Sequence, residues 1–249
     1  MKRVLILGGT GDAARLAAQA ALLQGVEVIT SLAGRTLHPV TPAGRVRIGG
    51  FGGEAGLVDY VQEQRIDLLI DATHPFAAHI SFHAATAAHA CGLPYLLLVR
   101  APWEPVEGDH WMEVESIAAA VSVLPSLAQR VFLTTGRQDL AAFAPLKDLW
   151  FLMRMIDPPT PHTPVPQGTL LLERGPFALA DERALLHTYA IGAMVSKNSG
   201  GEATYAKIIA AREVGLPVVM IQRPPVPAGE QVADVGKALV WLEKHLHRA

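Results

Sequence analysis

The chain has 249 residues, of which 50% are hydrophobic and 18% are charged, and its formal net charge is −2. This composition is typical of a compact globular protein with one large or two small domains, and the small charge argues against nucleic acid or an anionic membrane as the main partner. Cys91 is the one cysteine, and no apolar run approaches the ~20 residues that span a bilayer. No signal-peptide pattern precedes the first predicted strand. The chain is therefore expected to be cytoplasmic.

Apolar runs that predict strands alternate along the chain with segments that predict helices. The predicted strands are 3–7, 26–30, 67–71, 95–99, 111–114, 131–135, 149–153, 192–196 and 218–221. The predicted helices are 13–24, 55–64, 77–91, 116–127, 178–188, 203–214 and 231–246. Near-continuous apolar strands in such an alternation indicate an α/β protein whose parallel sheets are covered on both faces.

The predicted strands are too many for one ordinary open sheet, and a proline-bearing link at 101–105 lies near the middle of the chain. The sequence therefore predicts two Rossmann-like parallel-sheet domains, over residues 1–105 and 106–249, with an interdomain cleft. A proline-rich stretch at 157–166 is interpreted as a loop within the second domain, because strands are predicted on both sides of it.

A glycine loop at residues 8–13, Gly-Gly-Thr-Gly-Asp-Ala, connects the first predicted strand to the first helix. Such a loop presents backbone N–H groups and the positive end of a helix to a phosphate, although a tight turn can also be purely steric. NAD-binding proteins carry an acid about 20 residues further on, where this chain has Ser31 and then Arg35. A hydroxyl and a guanidinium suit a 2′-phosphate, so NADP(H) is the expected cofactor, unless Arg35 is an ordinary solvated loop residue.

Two further turns follow predicted strands in the first half of the chain. The glycine-rich segment 49–53 permits close backbone approach, and Phe51 within it could flank an adenine. The segment 71–77 places His74 toward the cleft, whereas Thr73 either contacts a ligand or caps the following helix.

In the second half, basic and hydroxyl side chains again follow predicted strands. The turn 197–201, Lys-Asn-Ser-Gly-Gly, is a dense donor array, and Arg137 follows the strand 131–135. Arg154 and Arg174 also lie near strand ends, although each alone could be a structural ion pair or a solvated side chain. Together these groups predict a basic cleft for a substrate with several carboxylates or phosphates. Lys207 is interpreted as a surface lysine, and the histidines show no zinc-site spacing, so no metal is expected.

Taken in chain order, these segments resemble the precorrin-6A reductase family of cobalamin biosynthesis. The matching segments are 8–13, 31–35, 49–53, 71–77, 135–137, 174–177 and 197–201. The segments 71–77 and 197–201 are specific, whereas the glycine loop is shared with many NADP enzymes. Asp12 stands where the family has glutamate, which keeps the charge.

The resemblance implies NADPH-dependent reduction of one conjugated double bond in the precorrin-6A macrocycle or in its cobalt-containing counterpart. It implies a tetrapyrrole small molecule as the partner. The chain itself is expected to be a monomer or a weak homo-oligomer. The cofactor residues would be Gly9, Thr10, Gly11, Asp12, Ala13, Ser31, Arg35, Gly50, Phe51 and Thr73. The substrate residues would be Arg137, Arg154, Arg174 and Ser199, and the catalytic residues would be Lys197 and His74.

The proton donor stays open between Lys197, His74 and water. Two alternative functions remain at this point: an NADP-dependent reductase of another polycarboxylate, and a non-catalytic NADP(H)-sensing module. A sensing module has no use for a second, basic set of strand-end turns, which favours an enzyme.

Overall fold

The computed structural model describes residues 1–34 and 42–246. Packing divides the chain into two compact units, one formed by Met1–Ala101 with Pro224–Ala249 and the other by Pro102–Arg223. Within the described residues, each unit is built on a six-stranded sheet in which every pair of neighbouring strands is parallel.

Strands and helices are numbered here in chain order. The strands of the first unit are β1 (Lys2–Leu7), β2 (Val26–Leu32), β3 (Arg45–Ile48), β4 (Leu68–Asp71), β5 (Tyr95–Leu98) and β12 (Glu230–Val232). Its helices are α1 (Gly11–Ala20), α2 (Glu54–Glu63), α3 (Ala78–Cys91) and α8 (Val235–Leu246).

The second unit repeats this plan. Its strands are β6 (Trp111–Val114), β7 (Arg130–Leu133), β8 (Trp150–Met155), β9 (Gly168–Leu172), β10 (Ala193–Lys197) and β11 (Val218–Ile221). Its helices are α4 (Ile117–Val123), α5 (Leu140–Phe143), α6 (Leu179–Thr188) and α7 (Ala206–Glu213), with short 3₁₀ turns at Leu124–Ser126 and Arg137–Asp139.

Both sheets have the strand order of a doubly wound Rossmann fold. The first sheet runs β12-β5-β4-β1-β2-β3 and the second runs β6-β11-β10-β7-β8-β9. In such sheets the order reverses beside the first strand, and ligands bind at the carboxyl ends of the strands. Ligand sites are therefore expected at the carboxyl ends of β1 and β7 and of the strands on either side of each.

Alternating side chains of β1 show how the first sheet is covered on both faces. Val4 and Ile6 pack in the cluster that contains residues of α1 and α8, whereas Leu5 and Leu7 pack in the cluster that contains residues of α2 and α3. All four side chains are almost completely buried. Because successive strand residues point to opposite faces, a continuous apolar run requires helices on both sides.

Every predicted strand is present, with ends within two residues of the prediction, but three strands were not predicted. These are β3, β9 and β12, and each lies at the edge of its sheet. Edge strands are partly exposed and need no continuous apolar run; the RVRI sequence of β3 is an example. Their pairing with a neighbouring strand, and not their composition, makes them strands.

The C-terminal segment differs from the predicted domain division at residue 105. Residues from Pro224 onward had been assigned to the second domain, but β12 pairs with β5 and α8 packs in one cluster with α1. The helix predicted at 231–246 begins at Val235, after Asp234 accepts a hydrogen bond from the Lys237 N–H at 2.8 Å.

Candidate functional site

The glycine loop joins β1 to α1 and leaves open space before the helix. Thr10 caps α1, since its hydroxyl accepts from the Ala13 N–H at 3.1 Å and donates to the Ala72 carbonyl at 2.8 Å. Gly9 has a φ of +107°, which L side chains rarely adopt. A Cβ atom placed on Gly11 would meet nothing within 4 Å. The loop is thus held by Thr10, and its outer face is accessible to a ligand.

Asp12 lies in the first turn of α1 and pairs with two arginines. It accepts hydrogen bonds from Arg15 and, at 3.1 Å, from Arg100, which follows β5. Burial acts to raise the pKa of Asp12, but the hydrogen bonds and charges of Arg15 and Arg100 outweigh it and lower the pKa below its ordinary value. Asp12 therefore stays ionised and holds the Arg100 guanidinium near the start of α1.

Ser31, near the end of β2, is hydrogen-bonded to an arginine that the sequence analysis did not single out. Arg47 of β3 donates to the Ser31 hydroxyl at 3.3 Å and to the Gly50 carbonyl at 2.8 Å. Its guanidinium also lies 3.9 Å from the centre of the Phe51 ring. Arg35, the predicted partner of Ser31, lies outside the described residues. Only the register of β2 with β3 reveals Arg47, because Ser31 is directly opposite it.

The segment after β4 is organised by a fully buried carboxylate. Asp71 accepts from the Thr73 N–H at 3.0 Å and from the Thr73 hydroxyl at 2.7 Å. Helix α3 begins only at Ala78 and has no side-chain cap, so the capping role considered for Thr73 is wrong. The His74 Nδ1 accepts from the Phe76 N–H at 3.3 Å. Burial and the charge of Asp71 raise the pKa of Tyr95, which stays a neutral hydroxyl beside that carboxylate.

These segments lie at or just after the ends of β1, β2, β3 and β4. Because the four strands are parallel, the segments lie together at the carboxyl ends of the strands of one sheet. They contain all the predicted cofactor residues within the described part of the chain, although Ala13 is buried and its N–H is already bound to Thr10. The open N-terminus of α1 and the hydroxyl and guanidinium near the end of β2 fit a dinucleotide that carries an extra phosphate on its ribose.

In the second unit, the turn after β10 is held in shape by a tryptophan. The Asn198 side chain accepts from the Trp103 N–H at 2.8 Å and donates to the Trp103 carbonyl at 2.9 Å. The Trp103 indole donates to the Gly201 carbonyl at 2.8 Å. Gly200 and Gly201 both have positive φ, as such a tight turn requires. Asn198 thus acts in the structure of this turn.

Lys197 ends β10 and forms an ion pair with Asp139, whose carboxylate lies 2.7 Å from the Lys197 Nζ. Asp139 belongs to the 3₁₀ turn after β7 and was not predicted as a site residue. Both side chains remain about one-fifth exposed. Ser199 donates to the Lys197 carbonyl at 3.3 Å, and Arg137 donates to the Pro158 carbonyl at 3.1 Å. A cation paired in this way is oriented and still reachable by a ligand.

Arg154, predicted to bind a substrate carboxylate, has an internal partner instead. It is 7% exposed, forms two hydrogen bonds with the buried Glu182 and lies 3.6 Å from the centre of the Phe177 ring. Arg154 lies within β8 on a covered face of the sheet, and a buried charge requires a partner of opposite charge inside the protein.

Lys207, interpreted as a surface residue, is also buried, with 5% of its surface exposed on α7. Its Nζ lies 5.5 Å from the centre of a Trp103 ring. Burial, helped by the positive charge of Arg154, lowers the pKa of Lys207 to about 7, and Glu182 only partly opposes this. The helical spacing around Lys207 did not reveal this, because its neighbours come from distant parts of the sequence.

Arg174 follows β9 and lines an open cavity of about 550 Å³ in the second unit. The same cavity is lined by Glu173, Asp181 and Glu182, so acids outnumber the arginines there. This cavity of the second unit is therefore not basic, and the basic cleft expected from the sequence stays a prediction.

The described residues, 1–34 and 42–246, contain neither a candidate metal site nor a candidate membrane span. Among them, no group of three or more histidine, cysteine, aspartate or glutamate side chains could hold a metal ion. Nor does any of their helices have the length and apolar character to cross a membrane.

Comparison with known proteins assigns the family. The Precorrin-6x reductase CbiJ/CobK family matches residues 3–243. A Rhodococcus erythropolis protein named Precorrin-6A reductase is 54% identical over 97% of this chain and 98% of its own length. The chain belongs to the precorrin-6x reductase family. A solved structure of CobK precorrin-6A reductase superposes with a TM-score of 0.92 at 44% identity, covering 98% of this chain and 97% of that one.

Membership confirms the resemblance, the Rossmann-like α/β fold and the enzyme class predicted from the sequence. Precorrin-6x reductases are NADPH-dependent oxidoreductases of cobalamin biosynthesis, and so is this chain. A more distant relative, from Priestia megaterium, is 31% identical over 91% of this chain and 92% of its own length, and is named Cobalt-precorrin-6A reductase.

Proposed function

We propose that this reductase acts on metal-free precorrin-6A, with the dinucleotide held by the strand ends of the first unit and the macrocycle by those of the second. The choice of the metal-free ring is supported by identity, which is 54% to a relative named for precorrin-6A and 31% to one named for the cobalt form. We propose the cytoplasm as the compartment of the reaction, which the single cysteine and the use of NADPH support.

The proposal rests mainly on the open glycine loop after β1, which Thr10 holds by capping α1. Bound there, NADPH supplies the hydride that the reduction requires. Gly9, Gly11 and the first turn of α1 meet the pyrophosphate, because their backbone faces open space. Thr10 and Asp12 hold the loop and Arg100 in place. Asp71 fixes Thr73, so that the segment containing His74 borders the same edge.

The second unit supplies cations for a ring that bears many carboxylates. Lys197 is the central one, since Asp139 orients its ammonium group at the end of β10. Arg137 and Arg174, at the ends of β7 and β9, bind peripheral carboxylates together with the Ser199 hydroxyl. Arg154 has no part in this set, because Glu182 already matches its charge.

Lys197 and His74 are proposed as the catalytic side chains. The ammonium of Lys197, oriented by the pair with Asp139, stabilises charge that develops on the ring. The His74 imidazole, whose Nδ1 accepts from the Phe76 N–H, is proposed for proton transfer.

The activity is tested by incubating the protein with NADPH and either precorrin-6A or cobalt-precorrin-6A. Nicotinamide absorbance and macrocycle absorbance are followed together, so that one equivalent of NADPH consumed is matched to one of product. Faster turnover of the metal-free ring is expected. Preference for the cobalt form would overturn the substrate assignment, and binding of NADPH without reduction of either ring would overturn the activity.

Changing Lys197 to alanine is expected to lower kcat by about ten- to hundredfold while the Kd for NADPH stays at the wild-type value. The loss corresponds to roughly 1.5–3 kcal/mol for one charge-assisted interaction. Steady-state kinetics and NADPH titration measure the two quantities. Lys147→Ala removes an exposed lysine of the same unit and serves as the matched control. Unchanged turnover in Lys197→Ala would show that Lys197 has no catalytic role.

A further inference from the structure

Arg47 is a preorganised cation at the carboxyl end of β3, directly opposite Ser31 of β2. Three acceptors orient its guanidinium: the Ser31 hydroxyl and the carbonyls of Gly49 and Gly50. One face of the group lies on Phe51, at 3.9 Å from the ring centre, and Tyr60 lies 5.0 Å away. A guanidinium held in this way loses little further conformational freedom when it binds a ligand.

The end of the second strand is where Rossmann proteins recognise the ribose of the adenosine half. An acid there binds the ribose hydroxyls of NAD, whereas a nearby arginine accommodates the 2′-phosphate of NADP. In this chain the position near the end of β2 is Ser31, and the arginine beside it in the described residues is Arg47.

We propose that Arg47, together with Ser31, binds the 2′-phosphate of NADPH and sets the preference for NADPH over NADH. The inference rests on the proposed function only in that the first unit holds the dinucleotide. Arg47 has five N–H groups in a rigid fork, and the contacts to Ser31, Gly49 and Gly50 use only some of them, so the fork can serve a phosphate as well. The Ser31 hydroxyl, which accepts from Arg47, is then able to donate to the same phosphate.

Arg45 provides a matched control on the same strand. It lies two residues before Arg47, at the amino end of β3, where its guanidinium donates to the Gln64 side chain at 3.0 Å. Arg45 and Arg47 thus belong to the same strand but lie near its opposite ends.

The experiment measures binding without turnover. NADP⁺ and NAD⁺, and the fragments adenosine 2′,5′-bisphosphate and ADP, are titrated calorimetrically into wild type, Arg47→Ala and Arg45→Ala. We expect Arg47→Ala to weaken NADP⁺ and the 2′,5′-bisphosphate by about ten- to hundredfold, and NAD⁺ and ADP by less than about threefold. Arg45→Ala is expected to leave all four Kd values unchanged.

Because Arg47 also holds the carbonyls of Gly49 and Gly50, Ser31→Asp tests the same site with the arginine retained. Its carboxylate neutralises Arg47 and repels the 2′-phosphate, so NADP⁺ binding falls while NAD⁺ binding is kept or improved. Equal losses for NADP⁺ and NAD⁺ in both variants would assign Arg47 a purely structural role and overturn the inference. So would unchanged NADP⁺ binding in Arg47→Ala. Both results are independent of whether the wild-type protein reduces precorrin-6A. That assay tests the proposed function separately.

Discussion

Replacing Gly11 by valine is expected to abolish NADPH binding, raising its Kd at least about a hundredfold, while the chain stays folded. The backbone at Gly11 lies outside the left-handed region, and a Cβ there meets no protein atom within 4 Å. The branched side chain therefore costs the fold little, but it occupies the space in front of α1 through which a pyrophosphate must approach.

The neighbouring glycines show why Gly11 is the position to change. Gly9 has a φ of +107°, so any side chain there strains the turn itself. A Cβ on Gly8 would lie 3.0 Å from the Thr30 methyl group, so it would disturb the packing of β1 on β2. Either substitution would confuse loss of binding with loss of folding, whereas Gly11→Val separates the two.

Fluorescence titration with NADPH and thermal unfolding, followed by circular dichroism, make the measurement. Gly11→Ala, which adds one methyl group, is expected to bind with intermediate affinity and to unfold at the wild-type temperature. If folded Gly11→Val binds NADPH like wild type, the loop serves only to turn the chain from strand to helix.

Replacing Lys207 by methionine is expected to stabilise the protein at pH 6 by about 1–4 kcal/mol. The lysine is 5% exposed, and its neighbours are the Trp103 ring, Arg154 and Glu182. Since Glu182 is already bound by both terminal nitrogens of Arg154, protonated Lys207 leaves one uncompensated positive charge in the interior. Methionine keeps much of the length of lysine and removes that charge.

The pH dependence follows from the lowered pKa of Lys207, about 7 in the folded chain against 10.5 ordinarily. Below pH 7 the lysine is protonated in both states, and the folded state carries the full cost of the buried charge. Between pH 7 and 10.5 the folded state loses the proton first, so wild-type stability rises with pH relative to the variant. The gain from Lys207→Met is therefore largest at pH 6 and shrinks steadily toward pH 10.

Urea unfolding of both proteins at pH 6, 8 and 9.5 gives the free energies of unfolding. Lys147→Met, which removes an exposed lysine from the same unit, is the control and should show a difference within about 0.5 kcal/mol at every pH. A stability difference for Lys207→Met that is the same at all three pH values would contradict the lowered pKa.

The alternation of apolar strands with helices was readable from the sequence because buried parallel strands need no polar face. This is why β1, β4 and β10 were predicted within two residues of their ends. The strands β3, β9 and β12 were missed; each lies at an edge of its sheet, where a strand is partly exposed and needs no continuous apolar run. For the same reason the return of the C-terminal segment to the first sheet, through the pairing of β12 with β5, has no signature along the chain.

The candidate site also combines features that are local in sequence with contacts between residues far apart in sequence. The glycine loop and the turn 197–201 were recognised because each packs its special residues into a few consecutive positions. The contact of Arg47 with Ser31 and that of Arg154 with Glu182 were not predicted, and Lys207 was misinterpreted as a surface residue, because the partners lie far away in sequence.

By itself, the sequence determined the fold class and the family, because local turns and apolar periodicity are short-range properties of a chain. Only the tertiary structure decided which cations are available at the ends of the strands. Folding neutralises a positive charge inside the protein where it brings a carboxylate to it, as with Arg154 and Glu182. It holds a positive charge at the end of a strand where it brings hydroxyl and carbonyl oxygens to it, as with Arg47.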